Sequence, residues 1–231
     1  MAIEINVDLL TEFEEKLNPA KPEESVFPAK VLGYGEISTV FEIEGISKQK
    51  VAFKRMPLFE NSAQVEPYIE LYFQYSKIMQ EDVGIQLPGF GAKTIITDRG
   101  RPVLYLFQEK LPYNSICHRV IHEIDDDAVE FLVLRVMREL NKVWHFNKAS
   151  APQIEIAIDG QISNFALIGF DPETNPDTSQ TDLIFLDTST PLIRKDGIEQ
   201  LDALLFLKPA PPILRWILKR FYLQEILDRY Y

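Results

Sequence analysis

The sequence predicts an α+β fold in two parts. Three observations carry this. Five strand-like runs lie between residues 29 and 108, with one helix pattern among them. After Asp125-Asp126-Asp127 a long helical pattern opens a second half of different character. The length of 231 residues with 46% hydrophobic side chains fits one large domain or two small lobes sharing a cleft, with ample apolar surface for a core.

Residues 3–17 place Ile5, Leu9, Leu10, Phe13 and Leu17 at the spacing of one helix face. Residues 18–28, NPAKPEESVFP, carry three prolines and read as a linker. Strands follow at Ala29 to Tyr34, Ile37 to Glu44 and Lys50 to Met56; Ile37, Thr39, Phe41 and Ile43 fall on one side of the second. A helix is expected over 64–80, with Pro67 near its first turn. Phe90 to Thr97 and Pro102 to Gln108 flank the turn Asp98-Arg99-Gly100. In the second half, the three aspartates cap a helix that reaches about Asn147, with Phe131, Leu132, Met137, Leu140 and Trp144 on an apolar face. Short strands are expected at Glu155 to Ile158, Phe165 to Phe170 and Asp182 to Leu186, and helices after Gly197 and after Pro212.

Composition excludes several classes of function. The net charge is -11, and a surface of that sign repels phosphate backbones and anionic lipid, so neither nucleic acid nor membrane is an expected partner. A local lysine or a metal can still attract a small anion. The one cysteine, Cys117, allows no internal disulfide, which suits a reducing cytoplasm. The acidic, amphipathic start lacks the basic and apolar regions of a signal peptide, and no run approaches the length of a membrane span.

Four segments carry candidate chemistry. Gly33-Tyr34-Gly35-Glu36-Ile37-Ser38-Thr39-Val40 joins two strands, and its glycines let backbone amides approach a phosphate; the same residues also suit an ordinary hairpin. Lys54 sits mid-strand in Val51-Ala52-Phe53-Lys54, where an amine must reach water or a negative partner. Glu70 on the next helix is the favoured partner, ahead of Glu66. Asp159-Gly160-Gln161-Ile162-Ser163-Asn164 can turn an Asp and an Asn towards one site, where a carboxylate could orient a hydroxyl and an amide oxygen could ligate a hard cation; an Asx-rich turn is the plainer alternative. Asp187 ends the apolar run Leu183-Ile184-Phe185-Leu186, where a carboxylate needs a partner or a metal unless it caps the following Thr188-Ser189-Thr190.

Taken in order, VLGYGEISTVFEI, VAFKRM, DGQISNFAL and LIFLD resemble the protein kinase superfamily, above all its aminoglycoside-phosphotransferase- and choline-kinase-like branch. The resemblance spans about residues 28–190. It implies a two-lobed fold, with residues 1–27 as helix and linker, 28–110 as an upper lobe holding a five-stranded antiparallel sheet and one helix, and 111–231 as a mainly helical lower lobe with a short C-terminus. It implies ATP and Mg2+ as cofactors and a small-molecule hydroxyl as acceptor. Gly33, Gly35 and Val40 match the glycine-rich loop, Lys54 the strand lysine and Glu70 its helix partner. Gln108, Glu109 and Lys110 fall where the hinge faces adenine. Asp159 matches the catalytic aspartate, while Asn164 and Asp187 match the metal ligands.

The pattern also departs from that family. Ser38 replaces the third glycine, Ala157 and Ile158 stand where His and Arg or His and Gly precede the catalytic aspartate, and Thr188-Ser189 replaces Phe-Gly. These departures suit a catalytically impaired pseudokinase that holds nucleotide or binds a protein. A third alternative is a two-lobed interaction protein without a nucleotide site. Cys117, His118 and His122 invite a zinc reading, but they lack a second ligand cluster and read better as a solvated or satisfied pair. Trp144 and His145 are expected to pack the lower half, and Trp216 to Tyr231 to form a packed terminal helix.

Overall fold

The computed structural model describes residues 3–19, 21–25, 27, 29–34, 38–202, 204–207, 211, 216 and 223–231. They form two compact units. The first takes in residues up to 69 together with 89–110 and the described residues between 204 and 216; the second takes in 70–88, 111–202 and the chain from 223 onward.

The first unit is built on a five-stranded antiparallel sheet in the order β1-β2-β3-β5-β4. Its strands are β1 (Ala29–Tyr34), β2 (Thr39–Ile43), β3 (Val51–Met56), β4 (Phe90–Ile96) and β5 (Pro102–Glu109). Alternation sends Phe41, Ile43, Val51, Phe53, Tyr105 and Phe107 into one core with Leu10 and Phe13 of α1 (Val7–Lys16). Each such side chain contributes about 1.5–3 kcal/mol on burial. The helix begins later than residue 3, because Ile5 bridges to Ser47 and the Asn6 side chain caps the amides of Asp8 and Leu9. At Gly91 a Cβ would lie 2.5 Å from the Phe107 ring, so only glycine fits there.

Helix α2 (Ser62–Lys77) starts earlier than expected, which moves Pro67 out of its first turn. It continues as a wider turn over Ile78–Val83 and ends at Gly84, whose φ of 77° closes the helix in the left-handed region.

In the second unit a short helix α3 (Cys117–Val120) precedes α4 (Asp126–Ser150). Asp125 caps α4 by accepting from the Ala128 amide at 2.9 Å. The buried stripe of α4 is Leu132, Val136, Val143 and Asn147. This corrects the expected apolar face: Phe131, Met137 and Trp144 are exposed, as is His145, because α4 carries apolar residues on two opposite sides. Since α3 ends at Val120, His118 and His122 do not share one helical face, and burial pushes the Cys117 thiol up to about 12 against the pull of Arg135.

The remaining strands are short. β7 (Phe165–Ile168) and β8 (Asp182–Phe185) form an antiparallel pair; β6 (Glu155–Ile156), β9 (Ile193–Lys195) and β10 (Ile198–Glu199) form a three-stranded sheet in the order β10-β9-β6. Asp196 and Gly197, at φ of 51° and 75°, make the tight turn from β9 to β10. The first residues after Gly197, where a helix was expected to follow, therefore form a strand, and the helix begins only at Leu204. Leu204–Leu207 and Leu223–Asp228 are helical, while most of the helix expected after Pro212 lies outside the described residues. Among the described residues no helix is long and apolar enough to cross a membrane.

Candidate functional site

In the second unit, buried polar contacts hold the loop that bears Asp159 and Asn164. On α4, the Asn147 amide accepts from the Ile156 N–H at 2.9 Å and donates to its carbonyl at 2.8 Å. Tyr75, fully buried on α2, donates its hydroxyl to the Ala157 carbonyl at 2.7 Å. Ala157 in turn donates its N–H to the Leu192 carbonyl. The chain then turns away at Asp159. Gly160 lets it pass close to α4, since a Cβ there would meet Leu140 at 2.8 Å.

A single helical turn, Ile162–Asn164, returns the chain to β7. The Asn164 side chain donates back to the Asp159 carbonyl at 3.1 Å, which fixes the width of the loop. The Asn164 carbonyl accepts from the Leu186 N–H at 2.8 Å, so the β7–β8 ladder is extended by one bond and Asp187 follows directly. Asp159, Asn164 and Asp187 thus gather at one end of the β7–β8 pair, and all three are half-buried.

The electrostatics agree with that grouping. Tyr75 is raised well above the usual tyrosine range, first by burial and then by the charges of Asp187 and Asp159, so both carboxylates act on one phenol. Burial also pushes Tyr72 up to about 12, with a hydrogen bond from Thr188 opposing the shift and Asp187 adding to it. Asp187 Oδ1 accepts from the Ser189 N–H at 3.2 Å and from its hydroxyl at 2.6 Å, and Thr188 and Ser189 are both buried. Asp159 is braced by the amide and the side chain of Gln161.

This arrangement suits a hard cation held by few protein atoms. With its NH2 given to the Asp159 carbonyl, Asn164 has its Oδ1 left over as a ligand atom, and its backbone carbonyl is bonded to Leu186, the residue before Asp187. Among the described residues no group of three or more His, Cys, Asp or Glu could hold a metal. Magnesium needs only one or two carboxylates when phosphate oxygens and water complete its shell.

In the first unit the strand register aligns three more of the residues singled out above. Gly33 pairs with Val40, Val40 with Lys54, and Lys54 with Leu106, so they lie in one row across β1, β2, β3 and β5. Directly opposed residues share a face; on this one Gly33, Val40 and Lys54 are half-buried and Leu106 is buried, and the Phe41–Phe53 core lies on the other. A bulge between Val31 and Gly33 shifts the β1 register at this point. Gly35 lies outside the described residues. On the same face Gln108 pairs with Ala52. The Glu109 N–H is bonded to the Gly89 carbonyl and the Lys110 N–H to the Lys50 carbonyl, and the Lys110 ammonium pairs with Glu42 at 2.6 Å. Those two amides and that ammonium are therefore engaged within the protein. Glu70 and Glu66 are both exposed, and Glu70 falls in the second unit.

The sequence reading missed one network in the first unit. Glu14 of α1 is buried and receives two hydrogen bonds from Arg55, each 2.7 Å, and a third from the Tyr105 hydroxyl. Burial pulls the Arg55 guanidinium down, but Glu14 and then Tyr105 together more than offset this and the net shift is upward. The network borders a cavity of about 520 Å³ between the end of α1 and the β4–β5 turn, lined also by Arg99 and Arg101. None of the glycine, lysine or hinge residues lines it. Glu14 falls on the apolar side of an amphipathic pattern, and that was the only signal in the sequence.

Residues 20–231 match the model of a family described as a family of unknown function (DUF6206). No curated protein matches the chain.

Proposed function

The chain belongs to the DUF6206 family, and we propose that it is a divergent member of the protein-kinase-like fold, a phosphotransferase that uses ATP and Mg2+ on a small-molecule hydroxyl. The observation that carries this reading is the gathering of Asp159, Asn164 and Asp187 at one end of the β7–β8 pair, where both carboxylates act on Tyr75. Phosphoryl transfer needs positioning and charge stabilisation more than covalent help from the protein. Asp187 and the Asn164 amide oxygen would hold the cation, and Asp159 would orient the acceptor hydroxyl. From the first unit, Lys54 would meet the phosphates, with Gly33 and Val40 beside it in the strand register. The bound nucleotide would supply the transferred phosphoryl group.

A second reading, a pseudokinase that binds nucleotide without turnover, draws on the buried Thr188 and Ser189 after Asp187 and on Ala157 and Ile158 ahead of Asp159. Ser189 takes up part of the Asp187 carboxylate through two hydrogen bonds.

Thermal melting with and without ATP and Mg2+ tests the shared premise. A ligand at about 100 times its dissociation constant adds roughly 2.7 kcal/mol to stability. The expected result is an upward shift that requires the metal and disappears in Lys54→Ala. No shift in the native chain overturns both readings. If the shift is found, release of phosphate onto an acceptor distinguishes the first from the second.

A further inference from the structure

Helix α4 has a second apolar stripe that the described residues leave uncovered. Leu134, Met137 and Trp144 are 47%, 45% and 50% exposed, on the side opposite buried Leu132, Val136 and Val143. Together with Asn141 they fall at intervals of three, four and three residues, the spacing of a coiled-coil seam. The same spacing continues four residues before Leu134 to Glu130 and four after Trp144 to Lys148, both exposed. The seam is therefore acidic at its first position and basic at its last. Among the described residues neither Glu130 nor Lys148 has an ion-pair partner.

We propose that this stripe is a self-association surface, and that a second copy of the chain packs its own α4 against it in antiparallel orientation. The charge order selects both the partner and the direction. In an antiparallel pair centred on residue 139, Glu130 meets Lys148 of the second copy at each end. Leu134 then meets Trp144 of the second copy, and Met137 meets Asn141. Every apolar seam position is covered and each end carries an opposite-charge pair. The acidic first turn, Asp126 and Asp127, also approaches the basic last turn of the other helix, with Lys148, as the helix dipoles favour. A parallel pair would instead stack Glu130 on Glu130 and Lys148 on Lys148. The seam is about 27 Å long, a contact at the low end for specific association, so the dimer forms reversibly with a dissociation constant of about 1–100 μM. This inference does not depend on the nucleotide reading.

Sedimentation velocity on the full chain, from about 1 to 300 μM, reads the outcome. The weight-average mass is expected to rise from 26.7 kDa towards twice that value. A Leu134→Glu, Met137→Glu variant should stay at the monomer mass throughout with an unchanged melting temperature, because both side chains are already exposed. Glu130→Lys alone, or Lys148→Glu alone, should weaken association by about 3- to 10-fold, and the two changes together should restore it. A native chain that remains monomeric over the whole range overturns the proposal. So does a dimer indifferent to Leu134→Glu, Met137→Glu. A monomer whose melting temperature falls in that variant would mean that the chain covers this stripe itself, and overturns it equally. Failure of the double charge reversal to restore association overturns the antiparallel register.

Discussion

The Tyr75 hydroxyl donates to the Ala157 carbonyl at 2.7 Å, tying α2 to the peptide that leads into Asp159. The bond joins residues 82 positions apart in a fully buried setting. Tyr75→Phe leaves that carbonyl unpaired. It should cost about 1–3 kcal/mol in urea denaturation and speed amide exchange between Ala157 and Asn164. Unchanged exchange there would mean that the bond does not brace the loop.

Asn147 holds Ile156 by both backbone groups, at 2.8 and 2.9 Å. Asn147→Ala orphans a donor and an acceptor together, so its cost should exceed that of Tyr75→Phe and reach about 2–4 kcal/mol. The same denaturation experiment checks it, and the ranking of the two variants is the discriminating result.

These braces explain what the sequence could and could not disclose. The first-unit sheet was legible because Phe41 and Ile43, and Val51 and Phe53, alternate cleanly with less buried neighbours. The segments bearing Asp159, Asn164 and Asp187 were legible as turn residues beside apolar runs. What holds them was not, because Tyr75 acts from 82 positions away and the Asn147 side chain turns back from the last turns of α4. Glu14, Arg55 and Tyr105 were hidden for the same reason, with Glu14 lying 41 and 91 positions from its partners. The apolar face of α4 was misread because the helix has two stripes and periodicity alone cannot say which one is covered. Asp196-Gly197 was a readable hairpin signal, overlooked because strands of two or three residues show no alternation.

Gly91 faces the Phe107 ring so closely that a Cβ would lie 2.5 Å from two ring carbons. Gly91→Ala should destabilise the chain by about 1–3 kcal/mol through overpacking. Phe107→Leu in the same chain should recover part of that loss, measured as the coupling in a double-mutant cycle. Additive losses would place the strain elsewhere.

Alkaline unfolding follows from the buried tyrosines. Tyr72 has its ionisation raised from 10.0 to about 12, chiefly by burial. A group with a raised folded-state value contributes stability that is complete below pH 10 and is lost as pH rises towards 12. Native stability should therefore fall across that interval, and Tyr72→Phe should make the fall shallower. Tyrosinate absorbance followed alongside denaturation checks the sign. A steeper fall in the variant would contradict it.

Affinity labelling with an acyl-phosphate derivative of ATP checks the proposed nucleotide reading, because the reagent acylates a lysine held against the phosphates. Mass spectrometry should find Lys54 labelled ahead of other lysines, excess ATP with Mg2+ should suppress this, and Asp187→Ala should abolish the preference. Labelling spread evenly over surface lysines and indifferent to ATP would contradict it.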